Sequence, residues 1–158
     1  MIQRDRDFVW EEVGRVGLCF FVAMGREDLH ISLMMGRPDP SEEIIWFTAE
    51  ADDGLTETLS DVSTVRLAYQ DPPRQVYMVL AGEVTRADSP AASALSPAQP
   101  LGFMGSTGDT NTALIGVRPT HAEVWQAPHE DVIGALGALT GAGTTDKASR
   151  RKRTIDLS

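Results

Sequence analysis

The chain has only one cysteine, Cys19, and only two lysines, Lys147 and Lys152, among its 158 residues. A single cysteine cannot form an internal disulfide, and with no recognisable signal peptide this predicts a cytoplasmic protein in a reducing compartment. Both lysines lie after residue 145, so a buried Schiff-base or general-base lysine in the body of the protein is excluded. No apolar run approaches the roughly 20 residues that a membrane span needs, and we expect no membrane partner.

The charge is acidic and unevenly distributed. The formal net charge is −9, of which residues 1–145 carry −12 and residues 146–158 carry +3. Because nucleic-acid binders need a basic face, an acidic body excludes general binding to a phosphate backbone. We predict one domain over residues 1–145, followed by a basic C-terminal tail over residues 146–158, with flexible chain from residue 141 onward.

Apolar periodicity predicts short strands joined by polar turns, with few helices. The predicted elements are a helix over residues 4–16 with Gly17 following its end, strands over 18–24 and 29–35, a loop over 36–41, a strand over 43–48, a short helix over 55–61, a hairpin over 64–82 whose second strand runs to 87, a long loop over 96–112, a last strand over 112–125 bent at Pro119, and a weak helix over 132–139.

The hairpin is the most informative segment. Two β-branched and aromatic runs flank Asp71-Pro72-Pro73-Arg74, where the prolines cannot donate to a ladder and so mark the connection. Gly82 allows the second strand to bend. An antiparallel sheet of six strands loses its exposed edges by curling into a barrel, so the predicted class is mainly β with peripheral helices.

Four passages, covering roughly residues 8–126, resemble the FMN-binding split barrel of the pyridoxamine-phosphate-oxidase-like superfamily, and more narrowly its general stress protein 26 group. The matching residues are Ile45-Trp46-Phe47-Thr48, the hairpin positions Tyr69, Asp71, Pro72, Arg74, Gln75, Tyr77, Val79 and Gly82, the segment 103–114 with Val117, and Ala122-Glu123 with Trp125. The resemblance implies a six-stranded antiparallel split β-barrel that holds FMN at a homodimer interface.

The resemblance also implies which residues contact the cofactor. On the second strand the family has Arg-Pro-Met, and the matching stretch here is Ser32-Leu33-Met34, or one residue later. The third strand contributes Trp46, Phe47 and Thr48. The lysine of a Ser-x-Lys loop falls near Leu55, and Phe103 is kept although the family's neighbouring tryptophan is replaced by Gly102. The predicted cofactor-binding set is Ser32, Leu33, Met34, Trp46, Phe47, Thr48, Leu55 and Phe103, with no catalytic residue assigned.

The phosphate end of this predicted site is poor in cations. Losing two charge-assisted contacts, at about 1.5–3 kcal/mol each, lowers affinity by roughly two to four decades. No residue from 49 to 61 is Lys or Arg, so the deficit does not depend on the alignment. The candidates for replacing these contacts are Arg26, Arg37, Arg66, Arg74 and the basic tail.

The remaining reactive residues predict no second site. His30, His121 and His129 lack the spacing of metal ligands. Cys19 lies in an apolar strand and is predicted to be an inert core thiol. Trp46 and Trp125 suit core packing as well as pocket lining.

Three functions follow from the resemblance. The first is a cytoplasmic FMN-binding homodimer, a flavin-dependent oxidoreductase that transfers electrons or hydride. The second is a degenerate split barrel that has lost FMN and serves as a non-enzymatic, stress-related binding module. The third is a barrel that holds a deazaflavin or haem.

Overall fold

The computed structural model describes residues 2–27, 29–50, 58–59, 62–86, 112–126 and 151–158. Within these ranges one α-helix precedes eight β-strands. They are α1 (Ile2–Val16), β1 (Leu18–Met24), β2 (Leu29–Met35), β3 (Arg37–Asp39), β4 (Ile44–Glu50), β5 (Thr64–Asp71), β6 (Val76–Arg86), β7 (Thr112–Gln126) and β8 (Arg151–Asp156), with a 3₁₀ turn at Pro72–Arg74 between β5 and β6.

All strands pair antiparallel in one sheet of order β2-β1-β5-β6-β7-β4-β3. The long strand β7 pairs with β6 on one side; on the other it pairs first with β4 and then, from His121, with β8. The class predicted from the sequence, mainly β with an antiparallel barrel-like sheet, is confirmed.

One face of the sheet, the core face, is closed by α1. Val9 and Val13 of the helix are buried against Phe21, Phe47 and other apolar side chains of the strands. Gly17 ends the helix in the left-handed conformation, at φ 69°, and donates its N–H to the Val13 carbonyl at 2.9 Å. This is the usual helix stop that a glycine permits, and it was predicted at this residue.

Curling brings the two ends of the sheet together at Gly36, between β2 and β3. A Cβ on Gly36 would lie 2.7 Å from the Phe47 ring and 2.8 Å from the Ile45 side chain. Any larger residue would therefore push β2 away from β4, which is a physical reason for glycine here.

The prediction of six strands is wrong by two. Residues 37–39 were predicted to lie in a loop, but they form β3 against β4. Residues 151–156 were predicted to be flexible, yet they form β8, where Ile155 is buried in the core together with Leu157. The basic charge of this segment suggested a solvated tail. The alternation of apolar and polar residues around Ile155 and Leu157 is too short to predict a strand from the sequence. The domain division at residue 145 stays a prediction.

β7 contains a β-bulge at the point where the C-terminal residues of the chain bind to it. The register between β6 and β7 shifts between Ala81 and Gly82, whose partners are His121 and Pro119, so Thr120 is the extra residue. The Thr120 carbonyl then accepts a hydrogen bond from the Leu157 N–H at 2.8 Å. The bend predicted at Gly82 and Pro119 is present, and it anchors the end of the chain.

Candidate functional site

The predicted cofactor-binding residues are divided between the two faces of the sheet. Met34 and Phe47 point into the core, and the Phe47 ring packs edge-on against Phe21 with centroids 5.2 Å apart. Trp46 and Thr48 alternate with Phe47 along β4 and therefore point to the opposite face, which we call the outer face. Because the side chains of Met34 and Phe47 are enclosed, only their backbone could meet a ligand.

The remaining predicted residues lie in three places. Ser32 is half-buried on the core face of β2, where its Oγ lies 2.7 Å from His30 Nε2. Leu33 is on the outer face of the same strand, opposite Phe20 of β1. Leu55 and Phe103 lie outside the described residues. The described members of the predicted set therefore lie on both faces of the sheet.

Trp46 belongs to a small apolar cluster on the outer face. It is only 4% exposed and packs with Ile44 and Leu114, separately from the main core. In the sheet, Trp46 of β4 and Thr85 of β6 are the partners of Gly116 on either side of β7. A Cβ on Gly116 would lie 2.9 Å from the Trp46 ring and 2.6 Å from Thr85 Oγ1. The Trp46 ring and the Thr85 side chain therefore fill the space over Gly116, and a larger residue at this position would displace them.

Two hydroxyls on this face have no hydrogen-bond partner although their oxygens are buried. They are Thr48 Oγ1, two residues after Trp46, and Thr85 Oγ1. Their partners on β7, Leu114 and Gly116, are two residues apart, which puts the two threonine Cα atoms about 12 Å apart by strand geometry. Buried polar groups are normally paired, so these two hydroxyls are exceptions on the outer face.

Sequence reasoning missed Thr85 and Gly116. Neither lies in a passage that carried the family resemblance, and nothing in the order of residues shows that they flank Trp46. Only the pairing register of β4, β7 and β6 brings the three residues together. Strand register was therefore the signal that the sequence did not supply.

Five cations of the described residues are held by acids. The ion pairs are Arg6–Glu43 at 2.5 Å, Arg74–Glu12 at 2.8 Å, Lys152–Glu123 at 2.9 Å, Arg153–Asp5 at 3.1 Å, and Arg15 with both Glu12 and Asp71. Among the candidates for replacing the phosphate contacts, Arg74 and, in the basic tail, Lys152 and Arg153 are thus already paired.

Arg118 stands apart from these pairs. It is exposed on the outer face of β7, two residues beyond Gly116 and opposite Glu83 of β6, and it makes no ion pair within the part of the chain that the structure describes. A guanidinium in this position can meet an anionic group at the edge of the Trp46–Thr85 region.

The other reactive side chains, Cys19 and Tyr69, are poorly suited to catalysis. Cys19 and Tyr69 lie directly opposite each other on β1 and β5, and burial raises the pKa of the thiol to about 12 and that of the phenol well above its usual value. A thiol that stays protonated is a poor nucleophile, as predicted for a core cysteine. No cluster of metal-ligating side chains occurs among the described residues.

One shallow cleft, of about 360 Å³, lies beside α1. The described residues that line it are Asp7, Trp10, Glu11 and Pro40. Two carboxylates with no cation do not suit a phosphorylated ligand.

No helix among the described residues is long and apolar enough to cross a membrane.

The outer face of β1 and β2 carries an exposed apolar surface. Six of the seven large apolar side chains that are most exposed lie there: Phe20, Met24, Leu29, Ile31, Leu33 and Met35. Phe20 is opposite Leu33, and Met24 is opposite Leu29, so the surface is continuous across both strands. Contiguous exposed apolar surface of this kind marks an interaction site.

Comparison with known proteins agrees with this architecture. The family described as pyridoxamine 5'-phosphate oxidase like matches residues 4–148. No curated protein sequence matches the chain. The fold is similar to that of a protein named for general stress protein 26 from Jannaschia sp. CCS1, with 16% identity, a TM-score of 0.66 and 99% of both chains covered.

Two further crystal structures have names that mention a flavin. The general stress FMN/FAD binding protein of Xanthomonas citri is 19% identical, with a TM-score of 0.57, over 78% of this chain and 89% of its own. The FAD binding protein of Mycobacterium smegmatis is 17% identical, with a TM-score of 0.58, over 75% and 91%. At these identities the likeness shows the fold, which is the split barrel implied by the sequence.

Proposed function

Since the chain belongs to the pyridoxamine 5'-phosphate oxidase-like family, we propose that it is a flavin-binding split barrel that acts as a homodimer. The observation that carries the proposal is the match of this family to residues 4–148, together with a fold that the chain shares with proteins named for FMN or FAD binding.

A bound flavin would supply electron or hydride transfer, which makes an oxidoreductase the corresponding enzyme class. The residues of this chain would bind and orient the ring and keep water from its apolar side. Cys19 is a buried, unpaired thiol, which suits a reducing compartment such as the cytoplasm.

The second candidate is the barrel without a cofactor, acting as a stress-related binding module. It is favoured by the ion pairs that occupy Arg6, Arg15, Arg74 and Arg153, and by the lack of any Lys or Arg from residue 49 to 61. The two candidates differ in whether purified protein carries or takes up FMN. We expect binding at micromolar concentration, measured by quenching of FMN fluorescence; a colourless protein that leaves FMN fluorescence unchanged supports the second candidate.

The homodimer is supported by the apolar surface on β1 and β2. An isologous interface needs a self-complementary patch, and an apolar face on an edge pair of strands meets that need.

Sedimentation tests the homodimer. We expect wild-type protein to sediment at twice 17.1 kDa. Ile31→Asp, in the middle of the surface, should give monomer, whereas Glu11→Lys on the exposed side of α1 should leave the dimer intact. A wild-type monomer would refute this part of the proposal.

A further inference from the structure

We propose that the cleft beside α1 binds an organic cation, an ammonium or guanidinium group that carries apolar carbon. The described residues that line it are Asp7, Trp10 and Glu11 of the helix and Pro40 of the turn after β3. Its volume of about 360 Å³ lies within the range of small-molecule sites. None of the predicted flavin-binding residues that the structure describes lines this cleft, so the inference is independent of the proposed function.

The apolar walls of the cleft are held in place by packing. Trp10 is half-buried and packs in part against the main core, which fixes the orientation of its indole. A Cβ on Gly14, one turn farther along α1, would lie 3.5 Å from the Pro38 ring, so β3 comes close to the helix here. The indole and Pro40 therefore give the carbon groups of a ligand a fixed surface to contact.

The polar side chains of the cleft are both acidic. Asp7 and Glu11 are exposed and lie four residues apart on α1, where two like charges repel each other and destabilise a helix. Asp7 accepts a hydrogen bond from Gln3 Nε2 at 2.9 Å, but no ion pair among the described residues joins either carboxylate to a cation. A positively charged ligand would relieve this repulsion, and the net charge of −9 would attract it to the protein.

The indole of Trp10 determines which kind of cation fits. Tryptophan attracts a cation more strongly than other aromatic residues do, and quaternary ammonium groups are recognised in this way. A divalent metal ion instead needs several oxygen ligands and holds its water tightly. With two exposed carboxylates and one indole, we expect an organic ammonium to bind with a dissociation constant of about 1–10 mM.

The test titrates full-length protein with choline and follows the indole N–H of Trp10 and the amide N–H groups of α1 by NMR. Sodium chloride keeps the ionic strength constant, and the comparison ligand is the neutral alcohol in which carbon replaces the choline nitrogen. We expect a saturable shift with choline and none with the alcohol. An alcohol that binds as tightly as choline, or choline that causes no saturable shift, would overturn the inference.

Single substitutions locate the binding site. Glu11→Gln should weaken choline about two- to fivefold, the value of one exposed ion pair, and Trp10→Leu should weaken it by a similar factor. The matched control is Glu27→Gln, which removes an exposed carboxylate after β1 and should leave the affinity unchanged. Because Trp10 also packs against the core, Glu11→Gln decides the matter if Trp10→Leu does not fold. Equal weakening by Glu27→Gln would show that choline responds only to overall charge, and the inference would be wrong.

Arginine amide, titrated in the same way, distinguishes the two sources of such a cation. Tighter binding than choline indicates a basic side chain of a partner protein, and weaker binding indicates a small molecule. FMN affinity should be the same in Glu11→Gln and in wild type, so that failure of the cation site and failure of the proposed flavin function are separate results.

Discussion

Arg74 donates a hydrogen bond to the Glu12 carboxylate at 2.8 Å, joining the tip of the β5–β6 hairpin to α1. Among the described residues Glu12 is the one charged side chain that is buried, at 4% exposure, and it also accepts a hydrogen bond from Arg15. Arg15 in turn donates to Asp71, so the turn is tied to the helix through both of its charged residues. The Asp-Pro-Pro-Arg turn, which first revealed the β fold, therefore also holds the helix that closes the core.

Replacing Glu12 with alanine should destabilise the fold. The change leaves Arg74 and Arg15 without their shared partner, and a hydrogen bond to a charged group contributes about 1.5–3 kcal/mol. Urea unfolding measures the loss. Glu11→Ala, on the exposed side of the same helix, is the matched control and should change the free energy of unfolding by less than about 0.5 kcal/mol. Equal losses in both variants would show that the network does not stabilise the fold.

Asp71 should make stability depend on pH in acid. The hydrogen bond from Arg15 holds the pKa of Asp71 below its ordinary value in the folded protein. Its contribution is therefore fully present above the unfolded pKa of about 3.9, and it is lost as the pH falls through the folded value. The stability difference between wild type and Asp71→Asn should be constant at neutral pH and shrink below about pH 4. A difference that stays constant down to pH 2 would contradict this.

Cys19 should resist thiol reagents in the native protein. Burial raises its pKa to about 12, so almost no thiolate is present at pH 8, and the side chain is enclosed as well. We expect no labelling by iodoacetamide in native protein and one label per chain in urea, counted by mass spectrometry. Rapid native labelling would mean that β1 opens readily.

Residues 151–158 should stabilise the folded protein, although their basic charge is typical of a solvated segment. Ile155 and Leu157 are buried, and Arg6 donates to the Leu157 carbonyl at 3.1 Å. Leu157→Ala should lower the free energy of unfolding by about 2–5 kcal/mol, as for other buried leucines. Thr154→Ala, exposed on the neighbouring strand β8, should have little effect. If both variants unfold like wild type, β8 is not part of the cooperative unit.

The sequence correctly predicted the elements that depend on residues close together in the chain. The bounds of β1 and β2, the stop at Gly17 and the Pro72–Arg74 turn depend on alternation, glycine and proline, and all are found where predicted. β8 was missed because its place is set by the bulge at Thr120, which lies more than 30 residues earlier.

The candidate site was harder to predict, for a related reason. Trp46 and Thr48 could be identified from a family passage, but Thr85, Gly116 and Arg118 join them only through the register of three strands. Resemblance also placed Met34 and Phe47 in the site, and strand alternation turns both side chains into the core. A motif therefore identifies positions in the sequence, but only the strand pairing shows on which face of the sheet each side chain lies.

The central claim is that this split barrel binds a flavin. The most direct measurement is equilibrium titration of purified protein with FMN, followed by the quenching of flavin fluorescence. The account predicts binding at micromolar concentration. FMN fluorescence that stays unchanged in the presence of folded protein would contradict it.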